Sequence, residues 1–172
     1  MARLQIAVVG AGESSIAAGP QGDALRRIAF AVGEGLGRAE ARLICGGRGG
    51  VMEAACRGAR SAGGEAVGVL PGSDASASPP NDAVGLALYT GIGQARNLSV
   101  VLSAAAVIAV GGGWGTLSEV ALALKHEIPV VLLESWSLSR PDGRPEPLLA
   151  VAGSAEEAVR RALEMADRER LG

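Results

Sequence analysis

The sequence predicts an α/β fold of Rossmann-like type: a doubly wound, mostly parallel sheet with helices on both faces. Three observations predict it. Short apolar runs of strand length alternate with segments of helical periodicity along the chain. Three of those strand candidates run straight into glycine turns, at Gly10–Gly12, Gly46–Gly50 and Gly111–Gly115. No repeat or break in composition divides the 172 residues, so 1–172 reads as a single domain.

The elements follow in order. Leu4–Val9 is an apolar strand. Asp23–Leu36 places Leu25, Ile28, Ala29, Val32 and Leu36 at helical spacing. Ala41–Cys45 is a short second strand, and Val51–Ala62 is the helix after it, stopped by Gly63 and Gly64. Glu65–Leu70 is a third strand ending at Pro71-Gly72. The Ser-, Ala-, Pro- and Asp-rich stretch Ser73–Asp82 reads as a mobile loop, with the open question of whether it is a lid. Gly85–Thr90 is a weaker strand, and Gly93–Ser103 a helix. Ala106–Val110 is the fifth strand, Leu117–His126 a helix and Pro129–Leu133 the sixth strand. Ser135–Pro147, with three prolines, is a loop. In the final helix Ser154 and Glu157 have capping-box spacing, and Ala158, Val159, Ala162, Leu163 and Ala166 form its apolar face.

Bulk properties narrow the function. A formal net charge of -2 argues against nucleic acid as the main partner. The longest apolar run, Leu98–Val110, is too short and too rich in Ser and Ala to span a membrane. No N-terminal stretch has the pattern of a signal peptide, and Cys45, at a predicted strand end, is not expected to form a disulfide with Cys56, inside a predicted helix. A reducing, cytoplasmic location is the expectation. His126 is the only histidine, so no metal site is expected.

The glycine turns carry the chemistry. A strand feeding a glycine turn and then a helix N-terminus lets backbone N–H groups approach a phosphate. On that ground Gly46, Gly47, Arg48, Gly49, Gly112, Gly113, Trp114, Gly115 and Thr116 are candidate binding residues. Arg48 adds a charge-assisted contact or is simply solvated. Gly10–Gly12 lacks the third glycine of a dinucleotide fingerprint, so it reads as a tight turn beside a ligand held elsewhere. No turn contains Gly-Lys-Ser/Thr, which argues against ATP hydrolysis of the Walker type.

Several residues have two readings. Thr116 and Glu119 have the spacing of a capping box, and Glu119 also stands one turn from the phosphate site. Arg96 is either a surface arginine, a phosphate ligand or the partner of Glu119. Trp114 stacks on a heterocycle or serves as a core or subunit-contact residue. Lys125, the sole lysine, lies about 13 Å along its helix from the glycine turn by helical rise. That is a poor position for Schiff-base chemistry.

The pair Cys45-Gly46-Gly47-Arg48-Gly49-Gly50-Val51-Met52 and Gly111-Gly112-Gly113-Trp114-Gly115-Thr116-Leu117-Ser118-Glu119 resembles the LOG-like superfamily. That superfamily includes the Lonely Guy cytokinin-activating phosphoribohydrolases and the molybdenum cofactor carrier proteins. In the phosphoribohydrolase branch a proline precedes the second glycine motif, where this chain has Gly111. An Arg-Lys pair stands on the preceding helix, where this chain has Arg96-Asn97. The resemblance is closer to the carrier branch. It implies a homo-oligomer, dimer or tetramer, that binds a phosphorylated pterin such as the molybdenum cofactor, or a nucleotide monophosphate. The alternative is hydrolysis of the N-glycosidic bond of a nucleoside 5'-monophosphate. There the resemblance makes Arg96 and Glu119 the catalytic pair and places the 5'-phosphate on Gly112, Gly113, Gly115 and Thr116. A nucleotide-sensing regulatory domain is a third class. The lysine decarboxylase label often given to such proteins gains no support from the lone Lys125.

Overall fold

The computed structural model describes residues 3–171. In chain order it contains β1 (Gln5–Gly10), α1 (Pro20–Arg38), β2 (Arg42–Cys45), α2 (Val51–Ser61), β3 (Ala66–Leu70) and β4 (Leu86–Tyr89). A 3-10 turn (Gly93–Ala95) then leads into α3 (Arg96–Leu102), followed by β5 (Ala106–Val110), α4 (Trp114–Lys125), β6 (Val130–Leu133), β7 (Leu149–Ala152) and α5 (Ala155–Leu171). The strands form one sheet in the order β4-β3-β2-β1-β5-β6-β7, with every pairing parallel. This is the α/β architecture predicted.

The sheet is buried on both faces, which is why its central strands are apolar throughout rather than alternating. Side chains still sort by the period of two. Ile6 and Val8 of β1 join Leu43, Ile108 and the apolar faces of α1, α2 and α5. Ala7 and Val9 face the other way, toward Val107, Ala109, Val100, Val101 and Val120 on the side of α3 and α4. Helices α1 and α2 pack backbone to backbone. A methyl group at Gly33 would collide with the Ala55 carbonyl, and one at Gly58 with the Phe30 carbonyl.

Topology places the functional edge. The chain lays strands outward from β1 to β4, then returns to set β5 on the other side of β1. The order therefore reverses between β1 and β5, and a crevice opens beyond their carboxyl ends.

Four local details differ from the sequence reading. Helix α1 begins at Pro20 rather than Asp23, because Gly19 at φ 82° turns the chain and proline fits the first helical position. Helix α4 begins at Trp114, so its first turn includes part of the glycine motif. Strand β7 was not foreseen. It is a four-residue edge strand, half-buried and adjacent to the proline-rich loop. The stretch Ser73–Asp82, read as mobile, is tied down. Asn81 donates from its backbone N–H to Gly47 O and from Nδ2 to Arg48 O, both at 2.9 Å. Arg48 Nη1 donates to Ser78 Oγ at 3.2 Å, and Ser78 is buried.

The predicted start of the last helix holds. Glu157 N–H donates to Ser154 Oγ at 3.1 Å, while the Glu157 carboxylate reaches back to the N–H of Gly153 at 2.8 Å. Among the described residues no helix is long and apolar enough to cross a membrane.

Candidate functional site

A cavity of about 400 Å³ lies at the strand-order reversal, within the size range of small-molecule sites. Three of its walls are turns at strand ends: Gly10–Ser15 after β1, Arg48 and Gly49 after β2, and Gly113, Gly115 and Thr116 after β5. The fourth is the 3-10 turn and the start of α3, which supply Gln94, Arg96 and Asn97; Met52 and Glu119 complete the lining.

The β5 turn is shaped for an anion. Gly111 (φ 60°) and Gly112 (φ 143°) take backbone conformations that side chains disfavour. They deliver Gly113 as the N-cap of α4 with no side-chain cap. The N–H groups of the first helical turn have no carbonyl partner within the helix, so they remain available to a ligand. At Gly115 an added methyl would meet nothing within 4 Å, and at Gly113 it would touch Ser15 at 3.7 Å. Both positions therefore leave open space where the backbone faces the cavity.

The β2 turn plays a different part. Gly50 N-caps α2, and the N–H of Val51 is already taken by Ala11 O at 3.0 Å, which locks the first two turns together. Arg48 remains exposed at the cavity with its guanidinium on Ser78. Gly47 packs on Gly68 and Leu70, away from the cavity. Gly46 lies against the Arg96 guanidinium. Beneath this turn the Cys45 and Cys56 thiols are free and 3.5 Å apart. Cys45 Sγ accepts the Gly47 N–H at 3.3 Å. The thiol-to-thiol hydrogen bond and burial push Cys56 strongly upward, so it stays protonated.

Arg96 and Glu119 meet at the cavity. Each is 7% exposed, and Nη1 lies 3.4 Å from Oε1. Burial pushes the Glu119 carboxyl up to about 7, and the neighbouring guanidinium only partly opposes it. Two buried polar atoms beside this pair lack partners among the described residues: Arg96 Nε and Asn97 Oδ1. The capping-box reading of Thr116 and Glu119 is corrected here. The helix is capped at Gly113, so Thr116 is the third residue inside it, and Glu119 turns to Arg96.

The predicted site residues thus divide. Arg48, Gly49, Arg96, Gly113, Gly115, Thr116 and Glu119 come together around one cavity. Gly46 and Gly112 pack behind two lining residues, Arg96 and Thr116, while Gly47 packs away from the cavity on Gly68 and Leu70. Trp114 points outward, 78% exposed, with its ring 5.2 Å from that of Trp136 and tilted by 41°. Sequence reasoning passed over Ser14, Ser15, Met52, Gln94 and Asn97 as lining residues. The order of the strands brings them in; Met52 and Asn97 stand at the edge of the compared motifs, and the others carry no motif. Among the described residues no group of three or more His, Cys, Asp or Glu is placed to hold a metal ion.

Comparison with known proteins agrees with this architecture. An uncharacterized protein of Archaeoglobus fulgidus is 44% identical over 126 residues, which is 73% of this chain and 77% of that one. The structure of the molybdenum cofactor binding protein from Rippkaea orientalis superposes with a TM-score of 0.81 at 36% identity, covering 96% of this chain and 98% of that one. The molybdenum cofactor carrier protein of Chlamydomonas reinhardtii superposes with a TM-score of 0.82 at 34% identity, covering 97% and 99%. These likenesses bear out the resemblance drawn from the paired glycine motifs. The family model described as the SLOG cluster4 family matches residues 3–167, and the chain belongs to that family.

Proposed function

We propose that the chain is a binding protein of the molybdenum cofactor carrier type, holding a phosphorylated pterin or nucleotide at its glycine turns. The observation that carries this reading is the cavity itself. It joins the uncapped N-terminus of α4, opened by Gly113 and Gly115, to the exposed Arg48 across the strand-order reversal. Backbone N–H donors, a helix dipole and a guanidinium together suit a phosphate. The names of the Rippkaea and Chlamydomonas proteins support the pterin as cargo. A cavity of about 400 Å³ is large enough for a pterin or nucleotide monophosphate. The phosphate contacts fall to Gly113, Gly115, Thr116, Arg48 and Gly49. The test is equilibrium binding of molybdenum cofactor released from a molybdoenzyme, beside a panel of nucleoside 5'-monophosphates. Submicromolar binding of the cofactor without turnover supports a carrier.

A second reading has its own observation. Arg96 and Glu119 form a buried pair on the cavity wall, with Glu119 near 7. A carboxyl poised there can stabilise positive charge developing on a ribose or position a water, with Arg96 orienting it. The reaction would be hydrolysis of a nucleoside 5'-monophosphate to free base and ribose 5-phosphate. Chromatographic detection of base, absent in Glu119→Gln, decides for this enzyme. No base from any nucleotide, in protein that still binds phosphate, decides against it.

The same proposal includes a homo-oligomer, dimer or tetramer, and a cytoplasmic location, to which the free Cys45 and Cys56 are suited. Light scattering on the purified chain tests the first, and fractionation of cells the second.

A further inference from the structure

Resting on the binding role proposed above, we infer that Asn97 reads the part of the ligand beyond its phosphate, through a hydrogen bond from a ligand N–H or O–H to its amide oxygen. Asn97 stands in the first turn of α3, only 8% exposed, and borders the cavity. Its Oδ1 has no partner among the described residues. Buried amide oxygens are ordinarily paired, because leaving water without a replacement donor is costly. The Asn97 oxygen is itself shielded from solvent, but its residue lines the cavity, so a ligand seated there is the source of the missing donor. The terminal torsion of asparagine is broad, so a ligand donor can draw the amide oxygen toward the cavity at little rotamer cost.

The neighbouring groups define the donor. Arg96, one residue before, turns Nη1 to Glu119 and carries only donors, so it cannot accept a ligand N–H or O–H. Asn97 is thus the neutral reader on this wall. A phosphate oxygen bears no hydrogen at full ionisation and is repelled by a carbonyl oxygen. The donor therefore belongs to the remainder of the ligand. Two sources share the chemistry: the amide and amino edge of a heterocycle, or a sugar hydroxyl. Guanine and pterin carry the same 2-amino-4-oxopyrimidine edge, which makes 5'-GMP a suitable probe for the first source.

The experiment compares wild type with Asn97→Leu by calorimetric titration of 5'-GMP, ribose 5-phosphate and inorganic phosphate, together with a melting curve of each protein. The expected result is a loss of about tenfold or more in GMP affinity, with inorganic phosphate unchanged within about twofold. The variant should melt no lower than wild type, because an apolar side chain of similar size replaces an unpaired acceptor. A loss shared with ribose 5-phosphate assigns the donor to a hydroxyl; a loss confined to GMP assigns it to the base. Undiminished GMP binding overturns the inference, as does a wild type that binds GMP no tighter than inorganic phosphate. An equal loss for all three probes with a lowered melting temperature also overturns it, since Asn97 would then be a structural residue. A wild type that binds none of the probes overturns the phosphate-site reading itself, and this inference with it. Asn97→Ala serves the same comparison if the leucine variant does not fold.

Discussion

Gly46 lies flat against the guanidinium of Arg96. A methyl group at position 46 would stand 2.5 Å from Nη2 and 2.8 Å from Cζ. The glycine is therefore a seat for an arginine. Its own φ is ordinary, so the constraint is purely steric. Gly46→Ala should displace Arg96 from Glu119, weaken GMP binding by about tenfold and cost ~1–3 kcal/mol of stability through overpacking. Titration and urea unfolding of the variant measure both. Full affinity in a stable Gly46→Ala protein would show that the seat does not matter.

Glu119 makes stability depend on pH in a defined direction. Its folded value near 7 is raised from an ordinary 4.5, so the folded state holds a proton that the unfolded chain has released. Its contribution is fully present below about 4.5 and is lost as pH rises through about 7, amounting to ~3 kcal/mol. The carboxylates of Glu65 and Glu157, lowered chiefly by Arg42 and by the Gly153 N–H respectively, act in the opposite sense and lose stability as pH falls. Comparing wild type with Glu119→Gln by urea unfolding at about pH 5 and about pH 8 isolates Glu119. The gap between the two proteins should shift against wild type at the higher pH. A gap that stays constant would mean that Glu119 is ionised throughout.

Gly115 separates stability from binding. It occupies the first turn of α4, and a methyl there meets no atom within 4 Å. Gly115→Ala should therefore leave stability unchanged or raise it by about 0.5 kcal/mol, from helix propensity and a more restricted unfolded chain. It should also lower the affinity for inorganic phosphate, because the methyl would occupy the open space of the proposed anion site. Gly113→Val, with only Ser15 at 3.7 Å from the new Cβ, should fold and lose phosphate binding altogether. Unaltered phosphate affinity in both variants would move the anion site away from this turn.

Cys45 and Cys56 are both completely buried. A chromogenic thiol reagent should find neither in the native protein and both in denaturant. Rapid reaction of one thiol in native protein would reveal an opening of the β2 turn, since Cys45 is held beneath it by the Gly47 N–H.

The legible features of this chain were the local ones. Apolar runs of strand length, three of them running into glycine turns, located six of the seven strands, and period and spacing located the helices. Strand β7 escaped because four residues beside a proline-rich loop carry little pattern, and an edge strand is only half-buried. The turn geometry of Gly111–Gly115, with a helix starting at its end, was legible in the sequence because it depends on consecutive backbone groups. The role of Gly46 was not, because it depends on Arg96, fifty residues later in the chain. The same applies to Ser73–Asp82. Its composition suggests mobility, whereas its restraint comes from Arg48 and the backbone of Gly47. Thr116-x-x-Glu119 misled for a related reason: a glycine cap upstream moved the helix start, freeing the carboxylate for a partner on another helix.

The tilted pair formed by Trp114 and Trp136 has an optical consequence. These are the only tryptophans, and Tyr89 is the only tyrosine. Nearly all near-ultraviolet absorption and emission therefore arises from one spot, where Trp114 opens the helix whose next residues, Gly115 and Thr116, face the cavity. With rings 5.2 Å apart, the two chromophores are coupled, and small changes in their mutual angle alter circular dichroism as well as fluorescence. The molecule carries an intrinsic gauge of the α4 N-terminus, readable without a label.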